Sequence, residues 1–487
     1  VALPKTAWQL LLMHRSALVV GLALAASVQC APVGMAPRSA GLGPAEAREG
    51  PASLPDGVAR ADAATVLAEL PPAGAGVPAP DEPSYLENTD HLERFFRTLE
   101  ALEGGGPEEH VRILQFGDSH TASDLGVSVF RKTLQTRFGD GGRGFVPIGK
   151  PWKGFWRRDL RVGNSREFVP SKAKATAPIP NPNGVFGLSG VRMDALAAGA
   201  SAWTDVGVSF SRLDVDYWKQ PGGGSVDLLV DHVRVAQVAS RSPTAKSGYF
   251  HLDVADSPHS VEIRVRGDGP VRIFGMDLER TQRGVVVDTL GIVGAQIFTP
   301  LRWVASHFDE QVGWRKPDLV ILAYGTNEAV ETELTDARYE RALTELVKRV
   351  AHAAPNASCL LLGPPDLARW NDETEEWATS GRLLEIMALQ RRVASALGCA
   401  YYDQFAAMGG KGSISAWAAE PEPRALRDHV HLTKTGYADV ATHFATDLLR
   451  AYEAWRKTEA TPEDGGTPED GGSLAEPTAP PNGARDP

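Results

Sequence analysis

Apolar and polar positions divide the chain into two textures. In the first, Leu92, Phe95, Phe96, Leu99 and Leu102 recur at helical spacing until Gly104, Gly105 and Gly106 stop the pattern. A mostly apolar run from Val111 to Phe116 predicts a buried strand, which ends abruptly in Gly117-Asp118-Ser119-His120. The pattern from Leu125 to Phe138 then predicts a helix closed by Gly139, so strand, tight turn and helix follow one another. In the second texture, from residue 150 to 283, apolar and polar residues alternate in runs such as RLDVDYW, SVDLLVD and HSVEIRVRG, separated by Gly, Pro, Asp and Ser. Period two with turn signals at that spacing predicts an antiparallel β-sandwich.

The first texture returns at residue 284. Val285 to Leu290 predicts a strand, Pro300 to Val312 a helix and Asp318 to Gly325 the most apolar strand of the chain. ARYERALTELVKRVAHA, CLLLGP, LLEIMALQRRVASAL, AYYDQF and TGYADVATHFATDLLRAYEAW then alternate helix and strand. Such alternation predicts an α/β domain with a parallel sheet covered on both faces. Residues 85–149 and 284–456 form that domain, and the β-rich residues 150–283 are inserted into it. In sheets of this type a site lies beyond the carboxyl ends of the strands.

The flanks have no core to build. Residues 1–30 read as an export signal, with Met13 as the expected start, a basic Arg15 and an apolar run from Ala17 to Ala26 that is well short of the about 20 residues of a membrane span. Cys30 is an alternative lipid attachment point, although Ser27-Val28-Gln29 matches such sites poorly. Residues 31–84 are rich in Ala, Pro and Gly and read as a flexible tether; residues 457–487, with the tandem acidic TPEDGGTPEDGG, read as a disordered tail.

A formal net charge of -11 with no basic stripe excludes a nucleic-acid partner and favours a neutral one such as a carbohydrate. Three cysteines make no disulfide framework and lack the paired spacing of a zinc site; no cofactor is expected. Cys359 and Cys399 each open a predicted strand; they either bridge neighbouring strands in an oxidising compartment or are buried as small apolar residues.

Four stretches at strand ends carry polar groups suited to acyl chemistry. Ser119 follows the first buried strand at the start of a helix, where backbone N–H groups favour negative charge, although Asp118 or Ser119 can equally be a helix cap. Gly294 can offer an unshielded backbone N–H, or simply be a turn glycine. Asn327 can donate from its side-chain amide, or cap the next turn. Asp428 and His431, three apart before a helix, can meet so that the carboxylate fixes the imidazole tautomer and the other ring nitrogen accepts a proton. His429 is the rival base.

Together the blocks GDSH, LGIVGAQ, YGTNEA and DHVH resemble the SGNH, or GDSL-type, hydrolases. The resemblance implies a three-layer α/β/α flavodoxin-like fold, a Ser119, His431 and Asp428 triad, and an oxyanion hole of Ser119, Gly294 and Asn327, with no metal. With the β-rich insert, the blocks resemble bacterial peptidoglycan O-acetylesterases of the periplasm, which carry an inserted carbohydrate-binding-like module. The resemblance implies export to the periplasm or cell envelope, or secretion, and an O-acetylated polysaccharide as partner. His120 stands where the family commonly has Leu, Glu328 where it has Asp, and Val293 where Asn is frequent. Acetyl transfer to a sugar hydroxyl, cleavage of longer acyl esters and a non-catalytic wall-binding role are the alternatives. In the insert, Trp203 and Trp218 are the residues placed to stack on sugar rings or to fill the core.

Overall fold

The computed structural model describes residues 83–460, except Glu108, Pro180 and Pro182. The expected export signal, Cys30, nearly all of the tether and the acidic repeat lie outside the described residues. Among the described residues, no helix is long and apolar enough to cross a membrane.

The chain begins with β1 (Leu86–Glu87), α1 (Glu93–Glu103), β2 (His110–Gly117), the one-turn α2 (Ser119–Ala122) and α3 (Leu125–Phe138). Antiparallel strands follow: β3 (Gly142–Val146), β4 (Leu160–Asn164), β5 (Val169–Lys172), β6 (Val191–Ala195), β7 (Ser201–Val206), β8 (Phe210–Lys219), β9 (Ser225–Val230), β10 (Val233–Ala239), β11 (Lys246–Ser257), β12 (Ser260–Val265) and β13 (Val271–Glu279). Next come β14 (Gly284–Gly291), α4 (Ala305–Arg315), β15 (Leu319–Ala323), α5 (Asp336–Ala353), β16 (Ser358–Leu362), and a hairpin of β17 (Ala368–Asn371) and β18 (Glu376–Thr379). The chain closes with α6 (Gly381–Leu397), β19 (Ala400–Tyr402), α7 (Gln404–Ala407), α8 (Ser413–Ala418) and α9 (Lys434–Ala460).

The central sheet has the order β1-β19-β16-β15-β2-β14, parallel throughout except for the antiparallel edge strand β1. Counting only its parallel strands along the chain, this is the 2-1-3-4-5 order of doubly wound sheets, with its switch point between β2 and β15. Neighbouring residues of each strand go to opposite faces, as a pleat of period two requires. Ile113, Ile321 and Leu360 pack under α1, α3 and α9, while Leu114, Val320 and Leu361 pack under α4, α5 and α6. Both faces are covered, which is why these strands read as continuous apolar runs.

The inserted strands make two antiparallel sheets, β10-β9-β12-β7-β4 and β11-β8-β13-β6-β5, the second extended by β3 on β13. Inward residues of both, among them Ala202, Leu228 and Ile263 from one and Leu213, Ile273 and Met276 from the other, share a single apolar cluster. The antiparallel pairing begins at Gly142, ahead of the change of texture near residue 150, because GRGFV has no clear alternation to reveal it. Buried charges tie the insert to the parallel sheet: Arg315 on α4 bonds Asp288 on β14 at 2.7 Å and Glu279 on β13 at 2.6 Å, and lies 3.1 Å from Asp277. Burial pushes the Asp277 carboxyl well above the usual carboxylate range, against the pull of Arg315. Breaking one partner out of such a buried set typically costs about 3–5 kcal/mol.

Two sequence readings resolve here. Cys359 and Cys399 form a disulfide that joins β16 to the residue before β19, with a Cα–Cα distance of 4.7 Å and a separation of 40 residues. Closing a loop of that length restricts the unfolded chain by about 4 kcal/mol, so Cys359→Ser should lower unfolding stability by roughly that amount in denaturant melts. The final helix runs to Ala460, past the expected boundary at residue 456.

Candidate active site

Strands β14, β2 and β15 end level. Gly117 pairs with Gly291 on one side and with Ala323 on the other, so the three loops that follow emerge side by side at one rim. Ser119, Gly294 and Asn327 sit in those loops, two to four residues past the strand ends. The abrupt ending of β2 has a steric cause: a Cβ on Gly117 would lie 2.2 Å from Thr121 Oγ1 and 2.8 Å from the carbonyl oxygen of Ala323. Only glycine lets the chain turn there and press α2 against its neighbours.

Asp118, not Ser119, is the helix cap; its Oδ1 accepts from the His120 N–H at 2.9 Å. Ser119 is thereby left free as the first residue of α2, with its Oγ 2.9 Å from Nε2 of His431. The Nδ1 of His431 bonds Asp428 Oδ2 at 2.8 Å, and Asp428 Oδ1 accepts from the backbone N–H groups of Val430 and His431, both at 3.0 Å. The His431 loop is held shut below this chain: the Leu426 N–H donates to the His431 carbonyl at 2.7 Å, and Ala425, Leu432 and Tyr437 are buried together. Burial pushes the Asp428 carboxyl up, but hydrogen bonds from the His431 ring and the two backbone N–H groups outweigh it and hold the group at about 2. It is therefore ionised throughout the range in which an imidazole can act as a base.

His429, the rival base, is turned away. Its ring stacks on Trp377 at 3.9 Å, and its Nδ1 bonds the Ser415 hydroxyl at 3.0 Å. The His120 ring lies 5.3 Å from that of His431, with its Nδ1 2.9 Å from the Tyr437 hydroxyl. Burial pushes its imidazole down to about 3, so it stands as a neutral wall beside the serine.

Asn327 does not cap the next turn. Its side-chain amide donates to the Ala295 carbonyl at 2.8 Å, which consumes one of two N–H donors and fixes the direction of the other. Gly294, next to Ala295, has φ +76°, and no atom lies within 4 Å of the place a Cβ would occupy. The N–H of Ser119, at the start of α2, completes a set of donors suited to an oxyanion. Asn327→Ala should lower kcat about 100-fold, about 3 kcal/mol of transition-state stabilisation, with the fold kept and a fall in melting temperature no larger than one lost hydrogen bond explains.

Glu328 is a group whose role the sequence did not disclose. It is fully buried, accepting from the Ile297 N–H at 2.7 Å through one oxygen and from the Gly325 N–H at 3.1 Å through the other. One carboxyl thus clamps the Gly294 loop to the Asn327 loop. Burial pushes it up to about 7, opposed by those same N–H groups. In Glu328→Gln an amide NH2 would face one of the two donors. The expected loss is about 1–3 kcal/mol of stability in thermal melts, together with a fall in kcat as the two loops lose register.

The two insert tryptophans singled out in the sequence are each partly covered. Trp218 is half-buried, edge-on to His307 at 5.1 Å and to Phe274 at 6.3 Å, and Trp203 lies over Gly163, where a Cβ would meet its ring at 2.5 Å.

A doubly wound sheet with a serine, an imidazole and a carboxylate in one hydrogen-bonded line at its switch point defines a serine hydrolase. Residues 260–438 match the model of the GDSL-like lipase/acylhydrolase family. Residues 260–438 carry that domain, and the chain is an esterase that resembles the SGNH hydrolases and, among them, the peptidoglycan O-acetylesterases. The match takes in Gly294, Asn327 and His431 but not Ser119, which the insert separates from the other blocks. A solved structure of a peptidoglycan O-acetylesterase is similar at 27% identity and a TM-score of 0.62, covering 74% of this chain and 96% of that one. A family 2 carbohydrate esterase with a carbohydrate-binding domain, from Corynascus thermopiles (Myceliophthora fergusii), is similar at 12% identity and a TM-score of 0.28, covering 58% and 100%. A family 2 carbohydrate esterase from Cellvibrio japonicus is similar at 13% identity and a TM-score of 0.24, covering 63% and 98%. No curated protein sequence matches the chain.

Proposed function

We propose that the protein removes O-acetyl groups from a cell-wall polysaccharide, foremost O-acetylated peptidoglycan, through an acyl-enzyme intermediate. The observation that carries the chemistry is the unbroken line Ser119 Oγ, His431, Asp428 with spacings of 2.9 and 2.8 Å. His431 takes the proton of Ser119 as its oxygen attacks the acetyl carbonyl. The N–H groups of Ser119 and Gly294 and the amide of Asn327 hold the oxyanion, and collapse expels the sugar oxygen, which takes the proton from His431. Water then attacks the acetyl-serine while His431 again accepts a proton; acetate leaves and Ser119 is regenerated.

The substrate reading rests on the similarity to a peptidoglycan O-acetylesterase over 74% of the chain. In this reading residues 150–283 are a carbohydrate-binding-like β-sandwich that orients a polymer too large for a closed pocket. An oxidising compartment such as the periplasm suits the Cys359–Cys399 bridge. The test is acetate release from O-acetylated peptidoglycan against O-acetylated xylan, with wild type and Ser119→Ala in parallel. Faster, Ser119-dependent release from peptidoglycan is expected. Equal release from both, or release indifferent to position 119, would overturn the reading.

A further inference from the structure

The hairpin β17–β18 departs from the carboxyl end of β16, the same rim that carries Ser119. Its strands pair so that Trp370 faces Trp377 directly across the ladder, the two rings 5.8 Å apart at 69°. Both indoles are open to solvent, Trp370 at 48% and Trp377 at 39%, whereas Trp303 and Trp417 are 5% and 7% exposed. Large aromatic side chains held at a surface beside a site usually mark recognition.

Trp377 and the base of the hairpin are anchored. Trp377 stacks on His429 at 3.9 Å and 12°, and the Ala368 N–H donates to the His429 carbonyl at 3.0 Å. At the base, fully buried Asp366 accepts from the Thr379 hydroxyl at 2.9 Å and from the Ile414 N–H at 3.0 Å. His429 lies between Asp428 and His431, so the hairpin is continuous with the loop that presents the imidazole. Arg369 and Glu376, the strand neighbours of the indoles, are exposed and point to the opposite face of the hairpin, so the two indoles share one face.

We propose that Trp370 and Trp377 form a saccharide-binding subsite that stacks a pyranose ring of the polysaccharide whose acetyl group lies at Ser119. The inference rests on the carbohydrate reading above and places a stacking subsite on the hydrolase domain in addition to the insert. A pyranose has a flat apolar C–H face to lay on an indole and hydroxyls at its edge left for solvent, whereas a bare acyl chain has no such flat face to stack.

The experiment measures binding of soluble O-acetylated peptidoglycan fragments to the full chain by calorimetry, in a Ser119→Ala background so that no ester is consumed. Trp370→Ala, which leaves the Trp377–His429 stack in place, should weaken binding by about tenfold or more, with Trp370→Phe recovering part of the loss. In the active enzyme the ratio of kcat/KM on the acetylated polymer to kcat/KM on nitrophenyl acetate should fall by a similar factor. Trp314→Ala, an equally exposed indole stacked on Tyr249, serves as the control and should leave that ratio unchanged. Undiminished fragment binding in Trp370→Ala, or an equal loss in Trp314→Ala, would overturn the subsite. Trp370-dependent binding without acetate release from any glycan would leave the subsite standing and remove the proposed reaction instead.

Discussion

Ser119→Ala should lower kcat for ester hydrolysis about 10,000-fold or more, and adding His431→Ala should cost little beyond that. The two side chains share one proton across 2.9 Å, so removing either disables the same step and the losses do not add. The activity that survives should come from the oxyanion donors and from binding, both of which stand without the hydroxyl. The measurement is kcat on nitrophenyl acetate for both single variants and the double variant, with thermal melts to show that the fold is kept. Two losses that multiply in the double variant would show that Ser119 and His431 act in separate steps.

Asp428→Asn is the second. An amide in place of the carboxylate no longer holds a proton on Nδ1 of His431, so Nε2 is less often the unprotonated atom facing Ser119. For a buried aspartate this exchange costs about 10,000-fold; here the Asp428 side chain is 46% exposed, and solvent can screen part of its effect, so a loss of about 100- to 1,000-fold is expected. The pH dependence follows from its ionisation. The folded value, about 2, lies below that of a free aspartate, so its charge is present at neutral pH and its contribution to stability fades only as pH falls from about 4 through 2. Loss of wild-type activity on mild acidification, at pH 5 to 6, therefore does not come from Asp428. A variant whose activity equals that of wild type would show that the carboxylate is dispensable.

Much of this was legible along the chain because the parallel strands are buried on both faces and the helices on one. Continuous apolar runs such as LVILA and 3.6-residue periods such as that of α5 follow directly from those environments. The alternation of the insert was equally plain, since each of its sheets has an inner face on a shared core. Less was visible where local pattern and tertiary pairing disagree. The two-residue edge strand β1 is too short to carry a period. The helix expected from Pro300 to Val312 breaks at Trp303, which is extended (φ -79°, ψ 159°), and resumes at Ala305. The hairpin β17–β18 passed unnoticed because ARWN and EWAT have no buried face of their own; they are joined by cross-strand pairing and by Asp366 beneath them.

The sequence by itself determined which groups could do chemistry: each lies in a polar break at the end of an apolar strand or just before a helix, and those breaks are local properties. Only the tertiary structure decided that they meet. Ser119 and His431 are 312 positions apart, and nothing local to either sets the distance between them. That distance follows from the strand order and from the level ends of β14, β2 and β15, which are set by burial on both faces of one sheet. It was likewise the packed fold that chose His431 over His429, made Glu328 a clamp between two loops, and brought Cys359 beside Cys399.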